Sequence, residues 1–211
     1  MTLMWPFRNL HWNSGRNPAV FYSDSMPEES NSFFRQSLPH ARFIRLLDYW
    51  CSKRGSGVPR KTDIDPVEIP ALLPFIQIHA RQENGRYLCR LSGTAMVEAL
   101  DMETTGRCLD EFLPERHLKS RTKILDRSLH SGMPIFYTGR LALPGREFLP
   151  FRRLILPLST SGIEADCALT LATVETVGSQ AMEKAPPAGI SFQVEARPSD
   201  LTLPGMTPAL S

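Results

Sequence analysis

The chain has 211 residues, a formal net charge of +2, and a composition that is 42% apolar and 22% charged. That is enough apolar material for one well-filled core, and it excludes a fibrous or fully disordered chain. The small net charge gives no argument for a nucleic-acid partner, and no run approaches the roughly eighteen apolar residues that a membrane-spanning helix needs.

The four cysteines, Cys51, Cys89, Cys108 and Cys167, form no CxxC pair and no short His/Cys spacing. Scattered thiols of this kind read as buried or free cysteines in a reducing compartment, and the chain is read as cytoplasmic. The N-terminal MTLMWPFRNLHW is apolar and aromatic, but Pro6, Arg8 and Asn9 interrupt it, so it is not read as a signal peptide. Residues 1–36, rich in Ser, Asn and Pro, are expected to be a flexible arm in which Leu3, Met4, Trp5, Phe7, Leu10 and Trp12 offer sticky side chains. Residues 179–211, with Pro186-Pro187, Pro198, Pro204 and Pro208, are expected to be a disordered tail. One domain over 37–178 remains.

Its first element is a helix. Ser37 is placed to cap it, Pro39 suits a first turn, and Phe43, Leu46, Leu47 and Trp50 follow the i, i+3, i+4, i+7 stripe. Asp65-Pro66 starts a short helix that Pro70 and Pro74 keep short. From Phe75 to Ala80 the pattern alternates, with Ile76, Ile78 and Ala80 on one face and Gln77, His79 and Arg81 on the other. Asn84-Gly85 predicts a hairpin to a strand over Tyr87 to Leu91. A longer helix follows from Glu115 to about His130, with Leu118, Leu125 and Leu129 on one side. Three strands complete the domain: Ile135 to Leu143, Leu149 to Leu158, and Ala165 to Val174, with turns at Pro144-Gly145-Arg146 and Ser159 to Gly162. Strands joined by short turns are antiparallel, so the prediction is an α+β fold: a five-stranded antiparallel sheet with helices across one face, preceded by an N-terminal helix.

Between the second strand and the long helix lies RLSGTAMVEALDMETTGRCLDEF, residues 90–112. A glycine between a strand and a helix is the place for a phosphate cradle. Here Gly93 has no Gly-Lys pair after it and no GxGxxG around it, and its strand belongs to a hairpin rather than a parallel sheet. Gly93 is instead read as permitting a sharp exit from the strand, with Ser92 or Thr94 capping the next helix and Gly106 taking a positive φ.

Taken together, LLDYWCSKRG, TDIDPVEIPALLPFI, YLCRLSGTAMVEAL, TTGRCLDEF and RRLILPLSTSG resemble a PAS domain, and within it the PAS-like group common in alphaproteobacteria (PAS_5). The resemblance covers about residues 40–175. One departure is ALDMETTG, where the pattern leads one to expect a glycine nearer position 101. The resemblance implies a sensory or interaction module, with a cleft between the concave sheet face and the central helices that holds ligands or cofactors in some members. It also implies dimerisation through a helix before the first strand and the outer sheet face.

Applied here, alternation proposes Leu91, Tyr137, Leu141, Ile155 and Leu169 as sheet-borne cleft residues, and helical position proposes Met96, Leu100, Phe112, Leu125 and Leu129. Filling a core is the competing role for all of them. Some PAS domains hold haem through a histidine on the long helix, which singles out His117 and His130. Flavin photochemistry would need a cysteine context that Cys108 lacks, and no cofactor is assigned. Arg152 and Arg153, beside Arg140, form a basic group suited to an anionic ligand or an acidic partner. Asp63, Asp65 and Glu68 lack the spacing of a metal site. Phe43, Leu47 and Trp50 are the expected dimer or partner surface, with packing on the chain's own sheet as the alternative. No GxSxG, HExxH or poised Cys-His pair points to an enzyme. With no room for an output domain beside the PAS-like one, the sequence predicts a regulatory module acting by protein–protein contact as a homodimer. A small-molecule receptor using the inner cleft, haem included, is the alternative, and an unrecognised small α+β enzyme the third reading.

Overall fold

The computed structural model describes residues 33–141, 149–174 and 189–201. The aromatic N-terminal residues, the Pro144-Gly145-Arg146 turn, and the parts of the tail at 179–188 and 202–211 lie outside the described residues.

A one-turn helix, α1 (Phe33–Gln36), precedes α2 (Ala41–Lys53). Ser37 does not cap α2: its hydroxyl donates to the Phe33 carbonyl at the end of α1, and α2 starts after His40. The predicted stripe holds, because Phe43, Leu46, Leu47 and Trp50 are all fully buried. Three 3-10 turns follow, Lys61–Asp63, Pro66–Glu68 and Pro70–Phe75, since a proline at each short interval removes the donor that a longer helix needs. Asp65 caps the second of them, its Oδ1 accepting from the Val67 amide at 2.9 Å.

The sheet is antiparallel and has six strands in the order β2-β1-β5-β4-β3-β6: β1 (Ile76–Arg81), β2 (Tyr87–Ser92), β3 (Ile135–Arg140), β4 (Pro150–Leu158), β5 (Cys167–Val174) and β6 (Gly189–Glu195). Between β2 and β3 run α3 (Thr94–Leu100) and α4 (Glu115–Ser131). The α+β expectation is met with one strand more than predicted. The extra strand comes from the segment expected to be a disordered tail: β6 pairs with β3, placing Phe192 and Val194 on the face that also bears Phe136. Its proline-rich surroundings hid a short alternating run, ISFQVE, that supplies a neighbour to an otherwise open edge.

Both faces of the sheet are covered. On the outer face, Phe136, Leu154, Leu156, Leu158, Leu169 and Leu171 pack against Phe43, Leu46, Leu47 and Trp50 of α2. On the inner face, Tyr137, Phe151, Ile155, Ala168 and Ala172 pack beneath Met96 of α3 and Ile124, Leu125 and Leu129 of α4. Phe43, Leu47 and Trp50 are therefore interior residues of the chain's own core, not a partner surface. An amphipathic helix buries its stripe on the nearest apolar face, and the outer face of this sheet is apolar along its central strands. Trp50 also donates its indole N–H to the Pro157 carbonyl at 2.8 Å in a buried setting. Trp50→Phe keeps an aromatic ring but strands that carbonyl. It is expected to cost about 1–3 kcal/mol, read as a lowered urea midpoint at unchanged m-value.

Candidate functional site on the inner sheet face

The inner face begins where the chain leaves β2. Gly93 donates its amide to the Ile76 carbonyl at 2.7 Å and lies against the backbone of the 3-10 turn before β1. A Cβ there would stand 2.3 Å from the Leu73 carbonyl oxygen and 2.4 Å from that of Pro74. Gly93 is thus required by close backbone approach, and it is itself the first residue of the α3 cap, with no side chain of Ser92 or Thr94 acting in that role. Helix α3 ends at Asp101, whose φ of 54° is left-handed. This is the position at which a glycine was expected; Asp is among the few residues that tolerate the conformation. Gly106 has the predicted positive φ, 82°.

Met96, Leu125, Leu129, Tyr137, Leu141 and Ile155 come together in one cluster, with Leu100 and Phe112 packed against it. Two of the proposed residues fall elsewhere. Leu91 is 41% exposed, because the β1–β2 register slips between Ile78 and His79 and leaves Arg90 as an extra residue. The bulge moves Leu91 opposite Ile78, off the inner face. Leu169 lies in the outer cluster. On β5 the residues of both faces are apolar or small, so alternation cannot reveal the phase of this central strand. Of the proposed haem ligands, His130 is exposed, and Nε2 of His117 accepts from Nε of Arg116 at 3.0 Å. Among the described residues the buried histidine is His79, 1% exposed on β1.

The inner face carries a polar row. Arg153 is 4% exposed, and its Nη2 donates to Gln77 Oε1 at 2.7 Å. To reach β1 from β4 that side chain must cross β5, where its cross-strand partner is Ala172. The small alanine leaves the lane open. Gln77 Nε2 donates in turn to Ser92 at 3.1 Å, and Thr170 donates to the Gln77 carbonyl at 3.2 Å. Arg152, one residue along, belongs to the opposite face, so the basic pair read from sequence is divided by the sheet.

Three buried polar atoms on this face have no hydrogen-bond partner among the described residues: Nε of Arg153, the hydroxyl of Tyr137 and Nδ1 of His79. Tyr137 is the direct cross-strand neighbour of Arg153 on β3. A second cation approaches from α4: the Arg121 guanidinium lies 5.1 Å from the Phe151 ring centroid and 5.5 Å from that of Tyr137, while Arg153 lies 5.0 Å from Phe151. No carboxylate pairs with either arginine among the described residues. Both guanidiniums stand against the same Phe151 ring, and like charges gathered in this way repel where little water screens them. Burial, helped by the Arg121 charge, pushes His79 down to about 3, so it is neutral at pH 7. Burial pushes the Tyr137 phenol up to about 12 despite Arg121. The inner face is therefore a positively charged, incompletely satisfied surface in a water-poor setting.

Beside it opens a cavity of about 470 Å³, bounded by His40, Ala41 and Arg42 at the start of α2, Phe75, Ala95, Met96 and Ala99 of α3, and Ala172, Thr173 and Val174 at the end of β5. None of these walls is acidic. Thr173 Oγ1 is a further buried atom without a partner among the described residues. Met96 and Ala172 belong to both the cavity and the inner cluster. Phe75 immediately precedes the pair Ile76↔Leu171, so Phe75, Ala172, Arg153 and Tyr137 lie along one row across the sheet. Of this site, sequence reasoning had named Met96, Tyr137 and Arg153. It missed Phe75, Gln77, His79, Arg121, Phe151 and Ala172, although the Gln77/His79/Arg81 alternation was visible. A sheet covered on one side would have turned that face to water.

All four cysteines are free and buried, and burial raises each thiol above its ordinary range. Asp63 accepts from the Arg60 amide and Glu68 pairs with Lys53, so the acidic group near β1 is used in local structure. No helix of the described residues is long and apolar enough to cross a membrane.

A PAS domain model matches residues 38–172, from the residue before Pro39 through the cavity wall at Ala172. No curated protein matches the chain. With the match covering well over half of the sequence, and with its helices lying across an antiparallel sheet as that fold requires, the chain belongs to the PAS domain family, a family of sensory and regulatory modules.

Proposed function

We propose that the chain is a regulatory receptor: a small molecule enters the cavity beside the inner sheet face, and the occupied state is passed on by contact with another protein, a second copy of the chain included. The observation that supports it is the adjacency of an open cavity, walled by Phe75, Met96 and Ala172, to a buried arginine and tyrosine that each hold one polar atom without a partner among the described residues, Nε of Arg153 and the Tyr137 hydroxyl. Ligand pockets combine apolar walls with a few convergent polar groups, and this one has both. A ligand that fixes α3 against the end of β5 would change the surface these elements present, which is how binding is converted into contact.

Native mass spectrometry of the protein purified from its own host tests the receptor reading, with an absorption spectrum alongside. An extra mass that leaves on denaturation is expected. A bare chain that no fraction of a host metabolite extract stabilises against heat would overturn it. Contact output is tested separately by light scattering and affinity capture, and a strict monomer that retains no partner would sink that half.

A further inference from the structure

Deepening the receptor reading, on which it rests, we infer that the ligand is a small organic acid: an apolar body in the cavity and a carboxylate turned along the sheet row toward Arg153 and Tyr137. Four observations point the same way. The walls Phe75, Ala95, Met96 and Ala99 are apolar and leave a volume of about 470 Å³, the size of site that encloses a compact organic molecule. No wall residue is acidic, and Arg42 stands at the rim with its guanidinium over the Phe75 ring at 4.3 Å. Behind Ala172 lies Arg153, 4% exposed, with Nε free to donate and no carboxylate paired to it among the described residues. Tyr137, whose hydroxyl is also buried and without a partner among the described residues, is the cross-strand neighbour of Arg153.

A carboxylate has two oxygens that accept two donors, and Arg153 Nε and Tyr137 supply two from neighbouring strands. Its single negative charge also offsets the two guanidiniums of Arg121 and Arg153 around Phe151. A neutral ligand of the same shape would fill the cavity and accept hydrogen bonds through a carbonyl, but would leave the two positive charges without a counter-charge. Charge is therefore the discriminating property of the ligand.

Benzoate and benzamide, matched in shape and differing in charge, are the probes. Purified full-length chain, freed of any co-purified mass, is titrated with each at fixed ionic strength. Thermal melting and calorimetry are recorded. Benzoate is expected to raise the melting temperature in a saturable manner and to bind at least tenfold more tightly than benzamide. Arg153→Met is expected to bring benzoate down to the benzamide level. Ala99→Trp, on the α3 wall, leaves the polar row intact but fills the cavity, and is expected to abolish binding of both. That second variant keeps the test decisive if Arg153→Met does not fold. Equal binding of the two probes, or binding that Ala99→Trp leaves untouched, would overturn the proposal. A neutral molecule as the co-purified mass would overturn it while leaving the receptor reading standing.

Discussion

Gly93→Ala is expected to abolish the folded domain or to lower its stability by about 3 kcal/mol or more, at or above the upper end of the usual ~1–3 kcal/mol for forcing atoms into an occupied site, because the obstacle is backbone. The obstacle is not conformational, since Gly93 has an ordinary φ of −67°. The added methyl would meet two backbone carbonyl oxygens and the Pro74 carbonyl carbon, all within 2.6 Å. Backbone cannot rotate away as a flexible side chain can, and the turn it belongs to is held by Pro70 and Pro74. The amide of Gly93 is also bonded to Ile76, so retreat would break the entry of β1 as well. Circular dichroism and urea unfolding of the variant check this; a native-like midpoint would show that the strand-to-helix exit is loose. Gly85→Ala is the informative comparison, because nothing lies within 4 Å of a Cβ there and only its positive φ of 79° is strained. It should cost about 1 kcal/mol.

Acid should weaken the fold before the carboxylates begin to titrate, and His79 is the reason. Its folded pKa, held down by burial and then by Arg121, is about 3 against an ordinary 6.5. The unfolded chain takes up a proton as the pH falls below 6.5, whereas the folded chain does not until the pH nears 3. Stability contributed by the neutral imidazole is thus complete above the unfolded pKa and is lost progressively as the pH falls through that window. The slope is at most about 1.4 kcal/mol per pH unit, so roughly 2 kcal/mol is lost between pH 6.5 and 5. Glu68 and Glu103, whose pKa values are lowered by their hydrogen bonds to Lys53 and Thr105, add acid sensitivity only below the ordinary carboxylate range. Urea unfolding at pH 7 and pH 5 should show the loss in the native chain and little of it in His79→Gln. An equal loss in the variant would place the acid sensitivity elsewhere.

Local signals were legible where local physics decides. The α2 stripe, the Asp65 cap, the Asn84-Gly85 turn and the Gly106 conformation follow from the residues themselves. What could not be read was which face of each strand meets which layer. Leu169 and Leu91 were misplaced for two different reasons. The first lies on a strand whose two faces are chemically alike, and the second follows a bulge that no residue type announces. The same blindness concealed the site. Gln77 and His79 look like a solvent face until both sides of the sheet are known to be covered, and the role of Ala172 depends on its standing opposite an arginine 19 positions earlier in the chain. Phe43, Leu47 and Trp50 were read as a surface for the converse reason: the sequence shows that a stripe is apolar but not what buries it.

The domain extends beyond the family match at both ends, and those ends meet. Phe34 of α1 and Leu201 of the last 3-10 turn are buried in one cluster, and the two elements touch. A fragment cut to residues 38–172 would lose β6 and uncover Phe136 and the open edge of β3, so residues 33–201 are the smallest unit expected to stay soluble. The chain also enters and leaves this unit at one corner. Groups attached at Phe33 and at Leu201 would consequently be held side by side, at a high effective concentration with respect to each other. A reporter or modifying group placed on either of these two residues is delivered to the same spot on the molecule, and a pair of dyes on them would report on that corner alone.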